Sequence, residues 1–522
     1  AMAKNDGDMS SVDGAQSWTS PAGTEMTAVF LAPVPVTKDN LSDVVDAGWI
    51  TQEKLCQGVT NGPAPCNLSP PCSGLPYRVG RSAFSLVARG FAASRFSARI
   101  PPMSDTSTAT DAPPARRSFW QALDLDTRLL GMIGAFVLVA LVFNILTDGR
   151  FLTPRNIFNL TIQTVSVAIM ATGMVFVIVT RHIDLSVGAL LATCTAVMAM
   201  TQTSFLPNVL GLELGHPMIP WITMIVGLVT GALIGGLQGY LIGYQAIPAF
   251  IVTLGGLLIW RNVAWHLTDG QTIGPLNETY VLFGGINGTL GVFWSWALGI
   301  AAAVAAAVGL MSGRRTKVSH GFPVKPLWAE GVIIAIVVAA ILGFVAILNA
   351  YAVPERVVAR DFERWGCDAA EGCTAADGIP YSVLLLIAVA IIMTVIARRT
   401  RLGRYIFATG GNPDAAELSG VNTKLLTVKI FAMVGVLCAL GGIVASARLG
   451  YHTNDIGVLD ELRVIAAAVI GGTALSGGIG TIYGAIFGAL IMQSLQSGMA
   501  MVGVDAPYQN IVVGLELGLA VL

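Results

Sequence analysis

The stretch "NIFNLTIQTVSVAIMATGMVFVIVT" (156–180) contains no charged residue. A helix rises 1.5 Å per residue, so about 20 such residues cross the ~30 Å hydrocarbon layer of a bilayer. Comparable charge-free apolar runs recur from residue 129 to the C-terminus. In lipid every backbone polar group must be satisfied internally, which leaves helices or closed barrels. A barrel would instead show alternating segments of about ten residues. The sequence therefore predicts an all-α polytopic membrane protein. Composition agrees: 54% of residues are hydrophobic and 12% charged, against about 25% charged in soluble domains. A net charge of −1 gives no reason to propose nucleic acid as a partner.

Spans are expected at 129–147, 157–180, 184–202, 218–243, 247–266, 289–311, 328–350, 379–397, 425–447, 462–476, 481–501 and 508–522. The 184–202 and 462–476 segments are short or broken by Gly and read equally as re-entrant, so the count is ten to twelve. Basic loop residues set the orientation. Arg314, Arg315, Lys317 and Lys325 lie in a loop, 311–327, without acids. The loop 398–429 carries Arg398, Arg399, Arg401, Arg404, Lys424 and Lys429 against Asp414 and Glu417. Both are expected in the cytoplasm, and Arg116, Arg117 and Arg128 put the N-terminal leader there too. Residues 351–379, with six acids against three Arg, then face outward. In that oxidising location Cys367 and Cys373, in "CDAAEGC", form a disulfide or remain two thiols in a loop.

The chain divides into an N-terminal extension (1–102), a polar leader (103–128) and the transmembrane domain (129–522). Residues 75–100 are rich in Arg and Ser without acids, a composition that mimics a transit peptide but lies inside the chain.

Two glycine series recur every four residues: Gly227, Gly231, Gly235, Gly239 and Gly243, and Gly480, Gly484 and Gly488. Each occupies one helix face, either for close packing or as a sliding surface. Asp184, in "RHIDLSVG", is an acid at the edge of a span, either on a solute path or capping the next helix. Gln163, Gln238 and Thr253 are uncharged polar groups within spans, suited to sugar hydroxyls or to interhelical hydrogen bonds. No GxxxxGK[ST] loop and no HExxH occurs, and no nucleophile–base set can be assembled. The chain is not read as an enzyme, and no cofactor or metal is assigned. The energy for uphill transport is expected from another subunit.

The segment "GGNPDAAELSGVNTK" (410–424) fits that expectation. Asn412 suits an N-cap, Pro413 the first helical position, and Asp414 and Glu417 the positive end of the helix. Gly420 is a natural stop. Ala415, Ala416 and Leu418 are expected to give the segment a small apolar face, and with Ser419 they complete a helix too short to be stable alone. It reads either as a docking helix for a cytoplasmic partner or as a capped turn joining two spans.

"IDLSVG" (183–188), "IPAFIVTLGGLLIWRN" (247–262), "GGNPDAAELSGVNT" (410–423) and "AAVIGGTALSGGIGTIYGAIFGALI" (467–491) together resemble the ribose/xylose-type permeases of bacterial ABC sugar importers. The resemblance covers about 103–522 and is nearest to the xylose-type members. It implies a permease homodimer in the inner membrane, a pair of cytoplasmic ABC ATPase subunits and a periplasmic sugar-binding protein. It assigns Asn412 to Gly420 to the coupling helix that meets the ATPase. Sugar is expected to enter near "RLGYHTNDIGVLDE" (448–461). His182 departs from the family pattern, in which Gly or an acid commonly precedes Ile-Asp. Residues 30–59 resemble the C-terminal end of a periplasmic xylose-binding protein. From that likeness, 1–102 is expected to join the tail of an upstream gene to translated spacer, with Met103 as the start and xylose as the solute.

Overall fold

The computed structural model describes residues 15–19, 25–29, 127–285, 288–322, 324–351 and 378–521. The chain divides into two units, Ala1–Thr110 and Asp111–Leu522. In the first, β1 (Ala15–Thr19) and β2 (Glu25–Val29) pair antiparallel, with Ala15 opposite Val29 and Thr19 opposite Glu25. The remainder of the 1–102 extension, nearly all of the leader and the Cys367–Cys373 pair lie outside the described residues.

The second unit is helical, as expected. Nine helices among the described residues are long and apolar enough to cross a membrane. They are α2 (Pro154–Val179), α3 (Val187–Leu210), α4 (Ile219–Gly243), α5 (Ala249–Leu267), α7 (Val292–Ser319), α8 (Leu327–Asn349), α9 (Tyr381–Arg399), α12 (Thr423–Leu449) and α14 (Ile482–Val502). Three further helices stand at the remaining expected spans: α1 (Thr127–Leu146), α13 (Asp460–Ile470) and α15 (Ala506–Val521). The short α6 (Glu278–Val281), α10 (Arg401–Gly411) and α11 (Pro413–Leu418) lie in connections.

Three boundaries differ from the sequence expectation. Helix α7 runs on to Ser319, so Arg314, Arg315 and Lys317 lie on its last turns and not in the loop expected at 311–327. The span expected at 184–202 begins only at Val187 and continues through a π-helical turn, Thr201–Phe205, to Leu210. That turn buries Gln202, whose Oε1 accepts the Asn277 N–H at 2.9 Å. An extra residue per turn re-aims a side chain, here onto the segment before α6. The segment expected at 462–476 is helical only to Ile470, where Gly471 and Gly472 begin an irregular connection to α14.

Helix α2 forms the centre: from Val165 to Val179 its apolar side chains are buried. A helix apolar on every side belongs inside a bundle. By contrast, α5, α7 and α8 present Phe250, Leu258, Val304, Val308 and Ile336 outward, the surface that lipid covers. The packing pattern occurs twice. Helix α3 packs on α4, α5 and α12, and α13 packs on α14, α15 and α2. Each of α3 and α13 follows a non-helical connection, 180–186 and 450–459. The first turn of α3 meets the 450–459 connection and the start of α13 at Gly188, where a Cβ would run into the Gly457 carbonyl and Glu461 Oε2.

Both glycine series are packing faces. A Cβ at Gly231 would strike the Gly435 carbonyl of α12, one at Gly235 the Phe431 carbonyl, and one at Gly239 would lie 2.7 Å from Val428 Cα. Gly484 and Gly488 meet the Gly471 and Ala467 carbonyls in the same way. Missing side chains let backbones approach closely where dispersion, rather than water expulsion, holds helices together.

Candidate functional site

The 398–424 connection folds as a two-helix elbow. Thr400 caps α10 by accepting the Gly403 N–H at 3.3 Å. Asn412 then ends α10 and caps α11, its Oδ1 accepting the Ala415 N–H at 3.0 Å. Pro413 takes the first helical position, where its missing N–H is one of the helix's unpaired donors anyway. Ser419 Oγ donates to the Ala415 carbonyl at 2.7 Å, and Gly420 turns the chain at φ +85°. A left-handed residue at that position is the usual helix stop and favours Gly.

The apolar residues of α11 do not share one face. Ala416 is buried and ties the helix to the bundle, whereas Leu418, two residues and about 200° further round, is 90% exposed. Asn412, Asp414, Ala415, Glu417, Ser419 and Gly420 are exposed as well. The elbow is fixed from below and free above.

What fixes it includes a residue that sequence reasoning passed over. Arg181, just after α2, donates from Nε to the Gly410 carbonyl at 3.0 Å and from Nη2 to the Gly411 carbonyl at 2.8 Å. A guanidinium on the last carbonyls of a helix satisfies orphan acceptors and suits the negative end of its dipole. A third strand of chain joins there: the Gly478 N–H donates to the Val179 carbonyl at 2.9 Å. Arg181 opens the quoted "RHIDLSVG"; its signal was a lone cation directly after a span and on the elbow's side.

The four polar residues singled out within spans separate into two groups. Asp184, Gln238 and Thr253 come together and are buried. Asp184 Oδ1 accepts the Ser186 N–H at 2.8 Å and the Ser186 hydroxyl at 2.6 Å. The Ser186 hydroxyl also lies 3.1 Å from Gln238 Oε1, a second acceptor for the same proton. Thr253 donates to the Ala249 carbonyl at 2.9 Å and lies 3.3 Å from the Ile183 carbonyl. Ser186, not Asp184, occupies the N-cap of α3, and its side chain makes no capping bond. Asp184 shapes the turn one residue earlier.

Gln163 lies elsewhere. It lines a cavity of about 410 Å³ enclosed by α2, α12, α13, α14 and the 450–459 connection. Its Oε1 accepts from Gln493 Nε2 at 3.0 Å. Arg448, Asp455, Asp460 and Arg463 also face this space, with Arg463 Nη1 on Asp460 Oδ1 at 3.0 Å. A second hollow of about 400 Å³ shares Gln163, Gln493 and Gln496 and adds Asn156, Asn159 and Ser497. A wall of amides and hydroxyls therefore runs along α2 and α14, helices otherwise built for lipid or core.

The expected entry segment 448–461 forms one side of that cavity. It is pinned by Arg261 of α5, whose Nη1 donates to the Ile456 carbonyl at 2.6 Å and Nη2 to the Gly457 carbonyl at 2.9 Å. Ile273 and His452 exchange backbone hydrogen bonds of 3.0 and 2.9 Å. His452 Nδ1 meets Thr195 Oγ1 at 2.9 Å, and Thr195 gives its own proton to the Ala192 carbonyl, so Nδ1–H is the donor. Burial, with the nearby Arg261 charge, lowers the His452 pKa to about 4 and leaves the ring neutral at pH 7.

No set of three or more His, Cys, Asp and Glu placed to hold a metal occurs among the described residues. The arrangement suits reversible hydrogen bonding to a hydroxylated solute.

Comparison with known proteins gives three findings. The profile of a family described as branched-chain amino acid transport system / permease component matches residues 156–521. The xylose transport system permease protein of Haemophilus influenzae is 36% identical over 390 residues, 75% of this chain and 94% of that protein. Its counterpart in Escherichia coli K12 is 35% identical over 431 residues, 80% of this chain and 97% of that protein. The ribose import permease protein of Escherichia coli K12 is 31% identical over 413 residues, 79% of this chain and 98% of that protein. No solved structure matches.

Proposed function

The chain belongs to this family of ABC transport permeases, and from that premise we propose that it forms the membrane pathway of an importer for xylose or a related monosaccharide. It is a transport subunit of a multi-pass inner-membrane assembly and not itself an enzyme. An ATPase and a substrate-binding protein are its partners. In this reading two copies of the chain enclose the lumen. The solute arrives from the binding protein at 448–461 and passes the polar wall of α2 and α14. The ATPase meets Asn412 to Gly420, and the chain begins in the cytoplasm.

The observation that carries the pathway is the wall of Asn156, Asn159, Gln163, Gln493, Gln496 and Ser497. Such a row facing acyl chains would leave amide groups unpaired in hydrocarbon, so it belongs against protein or a wet lumen. Its amides and hydroxyls match a neutral polyol better than the side chain of a branched amino acid. The two Arg lining the cavity face two Asp, so the space favours no net charge on the solute.

Reconstitution with the cognate ATPase and binding protein tests the reading. Labelled xylose is expected to accumulate only with ATP, and to do so in the presence of a protonophore. Accumulation abolished by the protonophore while ATP is maintained, or accumulation of leucine in place of pentoses, would overturn it.

A further inference from the structure

The acid-free stretch 311–327, formed by the end of α7 and its connection to α8, has no part in the proposed solute passage, yet it shapes a site. A cleft of about 280 Å³ opens where α7 ends and α8 begins, lined by Leu310, Arg314, Lys317, Lys325, Glu330 and Ile333 among others. Gly309 and Gly313 keep its α7 side open, since a Cβ at either would meet nothing within 4 Å. Arg314 Nη1 holds Glu330 at 2.7 Å and donates to the Lys325 carbonyl at 2.7 Å. Three cationic side chains therefore surround one carboxylate, and that carboxylate is already paired. The Lys317 side chain is exposed at the rim. Helix α8 begins at Pro326 without a side-chain cap, adding the positive end of its dipole.

The surroundings place the cleft at the membrane boundary. Phe322, Leu327 and Trp328 are exposed beside it, and exposed aromatic residues of this kind sit at headgroup depth. Away from the loop, both helices present apolar side chains to lipid, Val304, Val308 and Ile336 among them. The cleft thus has a cationic mouth and an apolar floor, formed by Leu310, Ile333 and Ile334, that continues onto a lipid-facing surface.

We propose that this cleft binds an anionic phospholipid, with the phosphodiester at Arg314 and Lys317 and an acyl chain along Leu310 and Ile333. Basic pockets between transmembrane helices at headgroup level bind lipid phosphates in this manner. The site is independent of which solute the pathway carries.

Native mass spectrometry of the full chain in a neutral detergent, titrated with phosphatidylglycerol or phosphatidylcholine, tests this. Phosphatidylglycerol is expected to be retained in preference, and Lys317→Gln to weaken that retention about five-fold. Lys317→Glu should weaken it further. Arg315→Glu makes the same change of charge on the same stretch, but its residue does not line the cleft; it should have a much smaller effect. Equal losses for Lys317→Glu and Arg315→Glu would reduce the effect to diffuse electrostatics and overturn the site. Equal retention of both lipids would overturn it as well. Displacement of the lipid by millimolar inorganic phosphate would reassign the cleft to a soluble anion and overturn the lipid assignment. A melting temperature within the wild-type range for each variant keeps misfolding out of the comparison.

Discussion

Arg181 commits its guanidinium to the last two carbonyls of α10 while its backbone starts the extended path to Asp184. A movement of the elbow therefore reaches the non-helical 180–186 connection through a single side chain. Each hydrogen bond from a charged group contributes about 1.5–3 kcal/mol. Arg181→Gln is expected to lower the melting temperature modestly but to cut sugar uptake at least as sharply as it cuts ATP hydrolysis by the assembled transporter. Arg181→Lys, which keeps the charge but not the fork, should restore little of the uptake. Paired uptake and ATPase assays check this. His452 gives a pH signature. Its folded pKa, about 4, lies below the ordinary value of 6.5. On acidification the unfolded chain therefore binds the proton first, and the stability present above pH 6.5 is lost as pH falls toward 4. His452→Gln is expected to flatten the fall of melting temperature across that window. The cap at Asn412 was legible because a cap bonds within three residues of itself. Arg181 was not, because its acceptors lie 229 and 230 residues away.

At the scale of elements, the four-residue glycine periods translate directly into helix contacts. Gly235 sits against the Phe431 carbonyl, and backbone cannot step aside as a side chain can. Gly235→Val is expected to separate α4 from α12, costing on the order of 3 kcal/mol or more, since overpacking alone costs roughly 1–3. Gly343→Ala makes the contrast. Nothing lies within 4 Å of that position, and Ala is a better helix former than Gly by roughly 1 kcal/mol. Thermal unfolding in detergent should show a large drop for the first and none for the second. Period and composition placed most of the long helices within a few residues, but ended α7 well before Ser319. They failed at α3 and α13, where apolar residues continue although the helix does not. "IDLSVG" and "GGTALSGG" are apolar enough to read as span, but Gly471 and Gly472 release the chain, and the Asp184 carboxylate holds Ser186 in a turn before α3. The polar residues told the same partial story. Asp184, Gln238 and Thr253 were found as a type, yet only packing revealed that Asp184 and Gln238 share Ser186 and Thr253 reaches the Ile183 carbonyl, while Gln163 lines a cavity.

In the proposed reading, the whole molecule separates what binds from what drives: the 448–461 segment and the polar wall of α2 and α14 serve the solute, and the elbow meets the ATPase. Between them stand α2 and the 180–186 connection, clasped to the elbow by Arg181, while the Val179–Gly478 hydrogen bond ties the connection before α14 to the end of α2. In the proposed cycle the ATPase displaces the elbow, this clasp carries the displacement to the bundle, and the lumen between two copies changes the side it opens to. The first unit stands apart from this scheme, and mass spectrometry of the native protein would test the proposal that 1–102 is not part of it. The exposed Leu418 is the most direct handle on the central claim, because Ala416, on the opposite side, holds the helix in place. ATP-driven xylose uptake should be measured in proteoliposomes that contain the permease, its ATPase and the binding protein, with Leu418→Asp beside the wild type. Wild-type uptake is expected to require ATP, and Leu418→Asp to abolish it while the melting temperature of the isolated permease is unchanged. Undiminished uptake by Leu418→Asp would contradict the account.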